Sequence, residues 1–193
     1  MAYSRQFEKA FLLASRLHAD QTRKGSDIPY INHLMGVAAL VGEAGGTEEQ
    51  VIAALLHDAV EDQGGAPVLK KIRRRFGDAV AAIVEACTDT DATPKPPWRR
   101  RKEAYIAHLA HAPEPALLVS AADKLYNCRT IITDVRAHGR RAFERFKAGR
   151  EGVLWYYAAL VDAFVRRGRT PIVDELERCV GELVRVDQAA ADR

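Results

Sequence analysis

Apolar residues recur at helical spacing along almost the whole chain, and no segment alternates apolar and polar residues as a half-buried strand does. The segment TDTDATPKPPW at 88–98 contains three prolines and predicts a loop. The pattern predicts an all-α bundle of about eight to ten helices. The clearest predicted helices cover residues 7–17, 33–44, 67–75, 78–88, 98–111, 115–137, 150–167 and 172–188.

The chain has 193 residues, of which 48% are hydrophobic, so it has material for one core and little for two. We therefore expect residues 1–193 to form a single domain. No uncharged stretch approaches the roughly 20 residues that span a bilayer, and the N-terminus lacks the pattern of a secretion signal. The three cysteines are widely separated and are expected to be reduced thiols, so we predict a cytoplasmic protein: Cys87, Cys128 and Cys179.

The net charge is only +3, but basic residues cluster at 70–75, 98–102 and 166–169, whereas residues 43–62 are acidic. Basic clusters are typical of proteins that bind nucleic acid or polyanionic small molecules. No nucleic-acid-binding motif accompanies these clusters, so we expect neither nucleic acid nor a membrane as partner. The pattern leaves the oligomeric state unknown.

The stretch ALLHDAVED at 54–62 places four polar residues together: His57, Asp58, Glu61 and Asp62. A capping box formed by Thr47 and Gln50 predicts that a helix begins just before this stretch, and the glycines at 64–65 predict its end. The polar residues follow the apolar ones at helical period, so they form the opposite stripe of one helix. A solvated face and a functional face both fit this pattern.

Other polar residues could complete a site with that helix. Asp123 and Asn127 lie four residues apart on one face of an otherwise apolar helix, where a buried carboxylate needs a neutralising cation. His33 opens another helix. Two imidazoles and two carboxylates form a set suited to Mn²⁺, Fe²⁺ or Zn²⁺. The remaining histidines lack such company and are interpreted as surface or packing residues: His18, His108, His111 and His138.

Three strings in this order, RKGSDIPYINH, ALLHDAVED and ADKLYN, resemble the HD superfamily of metal-dependent phosphohydrolases. More narrowly, they resemble the hydrolase domain of the RelA/SpoT alarmone enzymes and their stand-alone small hydrolases, among them the metazoan SpoT homologues. The resemblance covers about residues 5–165, and it implies an HD-domain helical bundle on which the helix at 172–188 packs.

The resemblance also implies a role for each matching residue. Glu61 and Asp62 would handle the attacking water, and Asn127 would steady the substrate or the metal shell. Arg23 and Lys24 match a basic pair that packs on the purine and contacts phosphate, and Lys95 matches a phosphate-contacting lysine. One Mn²⁺ ion would be held by four residues: His33, His57, Asp58 and Asp123.

The implied reaction is removal of the 3′-pyrophosphate from a guanosine (or adenosine) 3′,5′-polyphosphate, which gives GDP or GTP and pyrophosphate. No room remains for the family's synthetase domain, so the implied role is alarmone degradation. Two alternatives stay open: an HD phosphohydrolase that acts on another nucleotide, and a non-catalytic module that binds the alarmone. The RKG string before His33 speaks against the first, and the presence of Glu61 and Asp62 speaks against the second.

Overall fold

A computed structural model describes residues 2–90, 92 and 94–191, so positions 91 and 93 of the predicted 88–98 loop lie outside the described residues. The all-α prediction is confirmed: the described residues contain no strand, and Thr22 and Pro29 form an isolated β-bridge. The α-helices are α1 Arg5–Leu17, α2 Ile31–Glu43, α3 Glu48–Leu56, α4 Ala59–Gln63, α5 Gly65–Cys87, α6 Trp98–Leu109, α7 Glu114–His138, α8 Gly149–Arg167 and α9 Pro171–Ala189, and a 3-10 turn covers Gly139–Phe143.

The backbone groups into two compact units. The first unit comprises Met1–Lys95 and Ala112–Asp123, and the second comprises Pro96–His111 and Lys124–Arg193. Helix α7 contributes its first part to one unit and its remainder to the other. The expectation of a single domain over residues 1–193 stays a prediction.

Helix α3 is the central helix of the first unit. The predicted capping box is present at its start: the Thr47 hydroxyl accepts a hydrogen bond from the Gln50 amide, and the Gln50 side chain accepts one from the Thr47 amide. Every residue from 51 to 56 is buried, because α1, α2 and α5 all pack against α3. The residues just after α3 therefore begin inside the core, and polar side chains there need polar partners.

The prediction of one continuous helix through residues 57–62 is wrong. Helix α3 ends at Leu56, and α4 begins at Ala59 after a turn formed by His57 and Asp58. The two adjacent side chains of this turn nevertheless approach each other, because Asp58 Oδ2 lies 3.1 Å from His57 Nε2. The predicted stop is confirmed, because α4 ends at Gln63 and its C-cap is Gly64, whose φ of 132° favours glycine.

The second unit contains α6, α8 and α9, and α8 packs against both of the others. Its buried carboxylate, Asp187, lies on the inner side of α9 and is 1% exposed. The Arg150 side chain donates two hydrogen bonds to this carboxylate, one of them over 2.6 Å, and the Arg140 Nε atom lies 3.4 Å away. These arginines neutralise a charge that burial alone would penalise, and the pKa of Asp187 is lowered because Arg150 hydrogen-bonds to it.

Candidate metal centre

The His57 ring is held at the end of α3 by the main chain. Its Nδ1 atom lies 2.8 Å from the carbonyl oxygen of Ala54, which can only accept a hydrogen bond, so Nδ1 carries the proton. The Nε2 atom of the neutral ring then presents its lone pair on the opposite side. A backbone carbonyl commonly fixes a metal-binding histidine in this way.

The carboxylates of Asp58 and Asp123 lie close to the Nε2 atoms of His33 and His57. The Asp58 Oδ2 atom lies 3.4 Å from His33 Nε2 and 3.1 Å from His57 Nε2. The Asp123 Oδ1 atom lies 3.3 Å and 3.6 Å from the same two nitrogens. We call these four residues the ligand set. They come from α2, the turn after α3, and α7, and all of them belong to the first unit.

The spacing of the ligand set fits one small divalent ion. Nitrogen and oxygen ligands bind such ions at about 2.0–2.2 Å, so neighbouring ligand atoms are separated by roughly 3.0–3.6 Å. The four measured separations lie between 3.1 and 3.6 Å. Among the described residues, the ligand atoms of His33, His57 and Asp58 all lie within 4.8 Å of one another, so these three residues could hold a metal ion. Both histidine side chains are almost fully buried, so water cannot easily replace protein ligands there.

The charges of the ligand set also indicate a cation. Burial by itself would lower the pKa of His57, but the Asp58 charge and hydrogen bonds to Asp123 and Asp58 raise that pKa well above its usual value. Burial opposes ionisation of Asp58, yet the His57 charge and hydrogen bonds from both histidines hold its pKa well below the usual range. The site thus retains positive charge next to its carboxylates. A divalent cation can replace the additional proton that the raised pKa keeps on the His57 ring.

Tyr30 orients Asp58 from the side. Its hydroxyl donates a 2.7 Å hydrogen bond to Asp58 Oδ2, and its ring lies edge-on to His33 and stacks on His18. Burial and the Asp58 charge raise the Tyr30 pKa far above its usual value, so the phenol stays a neutral donor. Tyr30 is a site residue that was not predicted from the sequence, although it lies in the string that carries the family resemblance.

Glu61 and Asp62, which we call the acidic pair, lie one turn after Asp58 on α4. The Lys95 ammonium group lies 2.9 Å from Glu61 Oε1 and 3.8 Å from Asp62 Oδ1. The Gln21 amide donates a 2.9 Å hydrogen bond to Asp62 Oδ2. Both acidic side chains remain partly exposed, in contrast to the buried histidines. The structure therefore brings the predicted phosphate-contacting lysine to the acidic pair.

The loop between α1 and α2 carries the predicted basic pair. The Arg23 guanidinium carbon lies 5.4 Å from the centre of the Tyr30 ring, and the Arg23 amide donates to the Ile28 carbonyl over 2.8 Å. Lys24 follows in the turn and is exposed. The Tyr30 side chain thus contacts both Arg23, through its ring, and Asp58, through its hydroxyl, and all three residues belong to the first unit.

Two sequence-based interpretations have different outcomes. His18 was interpreted as a surface or packing residue, and it is a packing residue: it is 2% exposed, and burial lowers its pKa. Asn127 lies four residues after Asp123 on α7 but belongs to the second unit. Its role therefore stays a prediction.

Comparison with known proteins confirms the resemblance drawn from the three strings. An HD-domain family profile matches residues 10–154. The human guanosine-3′,5′-bis(diphosphate) 3′-pyrophosphohydrolase MESH1 is 42% identical over 129 residues, which cover 65% of this chain and 69% of the human protein. The Xenopus tropicalis protein of that name is 40% identical over 121 residues, which cover 61% of this chain. A GTP pyrophosphokinase of Streptomyces coelicolor is 37% identical over 128 residues, which are 66% of this chain and 15% of that protein.

Solved structures support the same fold. A metazoan ortholog of SpoT, which hydrolyses ppGpp and plays a role in starvation responses, has a TM-score of 0.77 at 26% identity, over 93% of this chain and 96% of that one. The protein lmo0812 of Listeria monocytogenes has a TM-score of 0.69 at 30% identity, over 77% and 96%.

The sequence match spans 65% of the length of the Xenopus protein, slightly less than two thirds. Within the part of the chain that the structure describes, no helix combines the length and apolar character needed to cross a membrane.

Proposed function

This chain belongs to the HD-domain family, and from that premise we propose that it removes the 3′-pyrophosphate from guanosine (or adenosine) 3′,5′-polyphosphates. Water adds to the phosphorus bonded to the 3′ oxygen, the bond between them breaks, and the 3′ oxygen takes up a proton. With the guanosine substrates the products are GDP or GTP and pyrophosphate. The observation that carries this proposal is the ligand set, whose four atoms converge and whose Asp58 precedes the acidic pair by one turn.

The ligand set would hold one divalent ion, and we propose Mn²⁺. Two imidazoles and two carboxylates are borderline-hard ligands, which suit Mn²⁺ better than they suit a thiolate-preferring ion. Such an ion, when bound, polarises a phosphoryl oxygen and lowers the pKa of bound water to as little as about 7. His57 is ready for this role because its proton is on Nδ1, which faces the Ala54 carbonyl.

The acidic pair would orient the attacking water and accept its proton. Glu61 and Asp62 are ionisable, partly exposed and on the same short helix, so water can reach them without opening the core. General bases of this kind typically contribute about 10² to 10⁴ in rate. Lys95 partly neutralises the pair while no phosphate is present, and the negative charge of a polyphosphate would compete for the same ammonium group.

The remaining predicted residues would bind the nucleotide. Arg23 already lies over one aromatic ring, and a guanidinium plane accepts a purine face equally well. Lys24 and Lys95 would contact phosphate oxygens. Asn127 would steady the substrate or the metal shell. Stacking on Arg23 does not distinguish guanine from adenine, because it contacts no base edge.

The proposed activity is tested by incubating the purified protein with Mn²⁺ and a panel of nucleotides. The panel contains guanosine and adenosine 3′,5′-polyphosphates and the corresponding 5′-monophosphates, and the products are identified by ion-exchange chromatography. We expect release of pyrophosphate, with the 5′ phosphates retained. Turnover of 5′-monophosphates alone would favour an HD phosphohydrolase of other specificity. Tight binding of the polyphosphates without turnover would favour a non-catalytic module.

A further inference from the structure

The side chain of Gln21, in the α1–α2 loop, makes three polar contacts, one of them to the acidic pair. Its Nε2 atom donates a 2.9 Å hydrogen bond to Asp62 Oδ2. Its Oε1 atom lies 2.6 Å from His18 Nδ1 and 2.6 Å from Gln63 Nε2. The main chain of Gln21 is fixed as well, because its carbonyl accepts a 2.9 Å bond from the Tyr30 amide.

These contacts allow only one orientation of the Gln21 amide. A carboxylate oxygen of Asp62 can only accept, so the group that faces it must be the NH₂. With the NH₂ directed at Asp62, Oε1 accepts a hydrogen bond from Gln63 Nε2. In this arrangement His18 Nδ1, which lies 2.6 Å from Oε1, carries the proton of the His18 ring. If the amide flipped, its oxygen would face the oxygen of the Asp62 carboxylate, and two acceptors would lie 2.9 Å apart. The surroundings of Gln21 therefore keep a donor directed at Asp62.

The contact distinguishes the two oxygens of Asp62. Oδ2 is bound by Gln21, whereas Oδ1 faces Lys95 at 3.8 Å. A carboxylate that is bound at one oxygen cannot rotate freely, so the other oxygen keeps a defined direction. Gln63 closes the arrangement, because it is the last residue of α4, the helix that carries Asp62.

We propose that Gln21 is a positioning residue for the hydrolysis, which binds Asp62 Oδ2 and so leaves Oδ1, on the side of Lys95, to orient the attacking water. This rests on the proposed function, in which Asp62 serves the reaction. In this role Gln21 acts on the reaction only through Asp62. His18 and Gln63 fix the direction of its amide.

The contact itself can be tested without any turnover. The side-chain NH₂ signal of Gln21 is assigned by its loss in Gln21→Glu, in ¹H–¹⁵N spectra of the metal-free full chain. Asp62→Asn should move that signal, because an ionised acceptor is replaced by a neutral amide. The signal of Gln6, an exposed residue on α1, is the control and should stay in place. An unmoved Gln21 signal would refute the contact, whether or not the protein is a hydrolase.

The effect on the reaction is tested with a double-mutant cycle. Gln21→Glu keeps the shape of the side chain and the acceptor for His18 and Gln63, but it places a second carboxylate oxygen 2.9 Å from Asp62. Hydrogen bonds to charged groups contribute about 1.5–3 kcal/mol, so kcat should fall roughly 10- to 150-fold. KM and metal content should stay near the parent's. Gln6→Glu adds the same charge at an exposed site and should leave kcat unchanged.

The decisive comparison is made in the Asp62→Asn background. If Gln21 acts only through Asp62, adding Gln21→Glu to Asp62→Asn should lower kcat less than about twofold further, since the group it positions is already gone. Multiplication of the two single losses, or loss of bound metal in Gln21→Glu, would show that Gln21 supports the fold instead. A parent protein without turnover on any polyphosphate would contradict the proposed function. The kinetic cycle compares variants with an active parent, so its failure concerns Gln21 alone.

Discussion

Changing Glu61→Gln and Asp62→Asn together removes the acidic pair's charge while it preserves the size of both side chains. All four side chains of the ligand set are retained in this variant. The amide oxygen introduced by Asp62→Asn can still accept the hydrogen bond that Gln21 donates. The double variant therefore isolates the proton acceptor from the metal site and from the local packing.

The structure gives two very different magnitudes for this change. The folding cost comes mainly from the Lys95 ion pair, and since the Lys95 side chain is 42% exposed, that pair contributes at most about 1 kcal/mol. Loss of the general base should instead lower kcat by about 10² to 10⁴. At about 1.4 kcal/mol per factor of ten, this raises the barrier by roughly 3 to 5.5 kcal/mol. A catalytic loss far above the stability change is the expected result.

Three measurements on the double variant complete the test. Metal stoichiometry by atomic emission should equal the parent's, and the nucleotide Kd by calorimetry should stay within a few fold. Turnover should fall at least about a hundredfold. Near-normal turnover would refute the catalytic role of the acidic pair, because a solvated helix face predicts that surface substitutions change little. Loss of metal together with turnover would show that the acidic pair also supports metal binding, and would refute the separate roles of the acidic pair and the ligand set.

Three further predictions follow from the two units. His57→Ala or Asp123→Ala should abolish both metal retention and turnover, and chelation should do so reversibly; full activity in chelator would contradict the metal site. Arg23→Ala should raise KM while metal content stays constant, as initial-rate kinetics and metal analysis would show. In the second unit, Asp187→Asn should lower the free energy of unfolding by about 1–3 kcal/mol at pH 7. The Asp187 pKa is lowered in the folded state, so this stabilisation is present above the unfolded pKa of about 3.9 and disappears as the pH falls through the folded value. In urea titrations, the difference in unfolding free energy between parent and variant should therefore be smaller at pH 2 than at pH 7.

The helices were predictable because their signals are local. The capping box at Thr47 and the glycine after α4 each depend on a few neighbouring residues. The break between the predicted helices 67–75 and 78–88 is present at Gly77, whose φ of 89° interrupts α5. The turn at His57 was not predictable from periodicity, because the apolar and polar stripes continue across it without a change of phase.

The site was predictable to the extent that its residue types are unusual for their positions. A carboxylate on the apolar face of α7 and an acidic patch after a buried helix both indicate a cation. Gln21 and Tyr30 carry no such signal, since a glutamine or tyrosine in a polar loop is ordinary. Their importance depends on hydrogen bonds between segments 28 to 41 residues apart, which only the folded loop creates.

The charges of the site imply that metal and nucleotide bind in a linked way. The ligand set and the acidic pair together carry four carboxylates. The ammonium group of Lys95 lies within 4 Å of both members of the acidic pair and offsets part of this negative charge. A polyphosphate would meet repulsion there until a divalent ion offsets the carboxylates. We therefore expect chelator-treated protein to lose nucleotide affinity as well as turnover, and calorimetry with and without Mn²⁺ measures the change in Kd. Linkage requires that the nucleotide tighten metal binding by the same factor. Equal nucleotide affinity in both forms would mean that Arg23 and Lys24 alone overcome the repulsion, and that the ion serves only the chemical step.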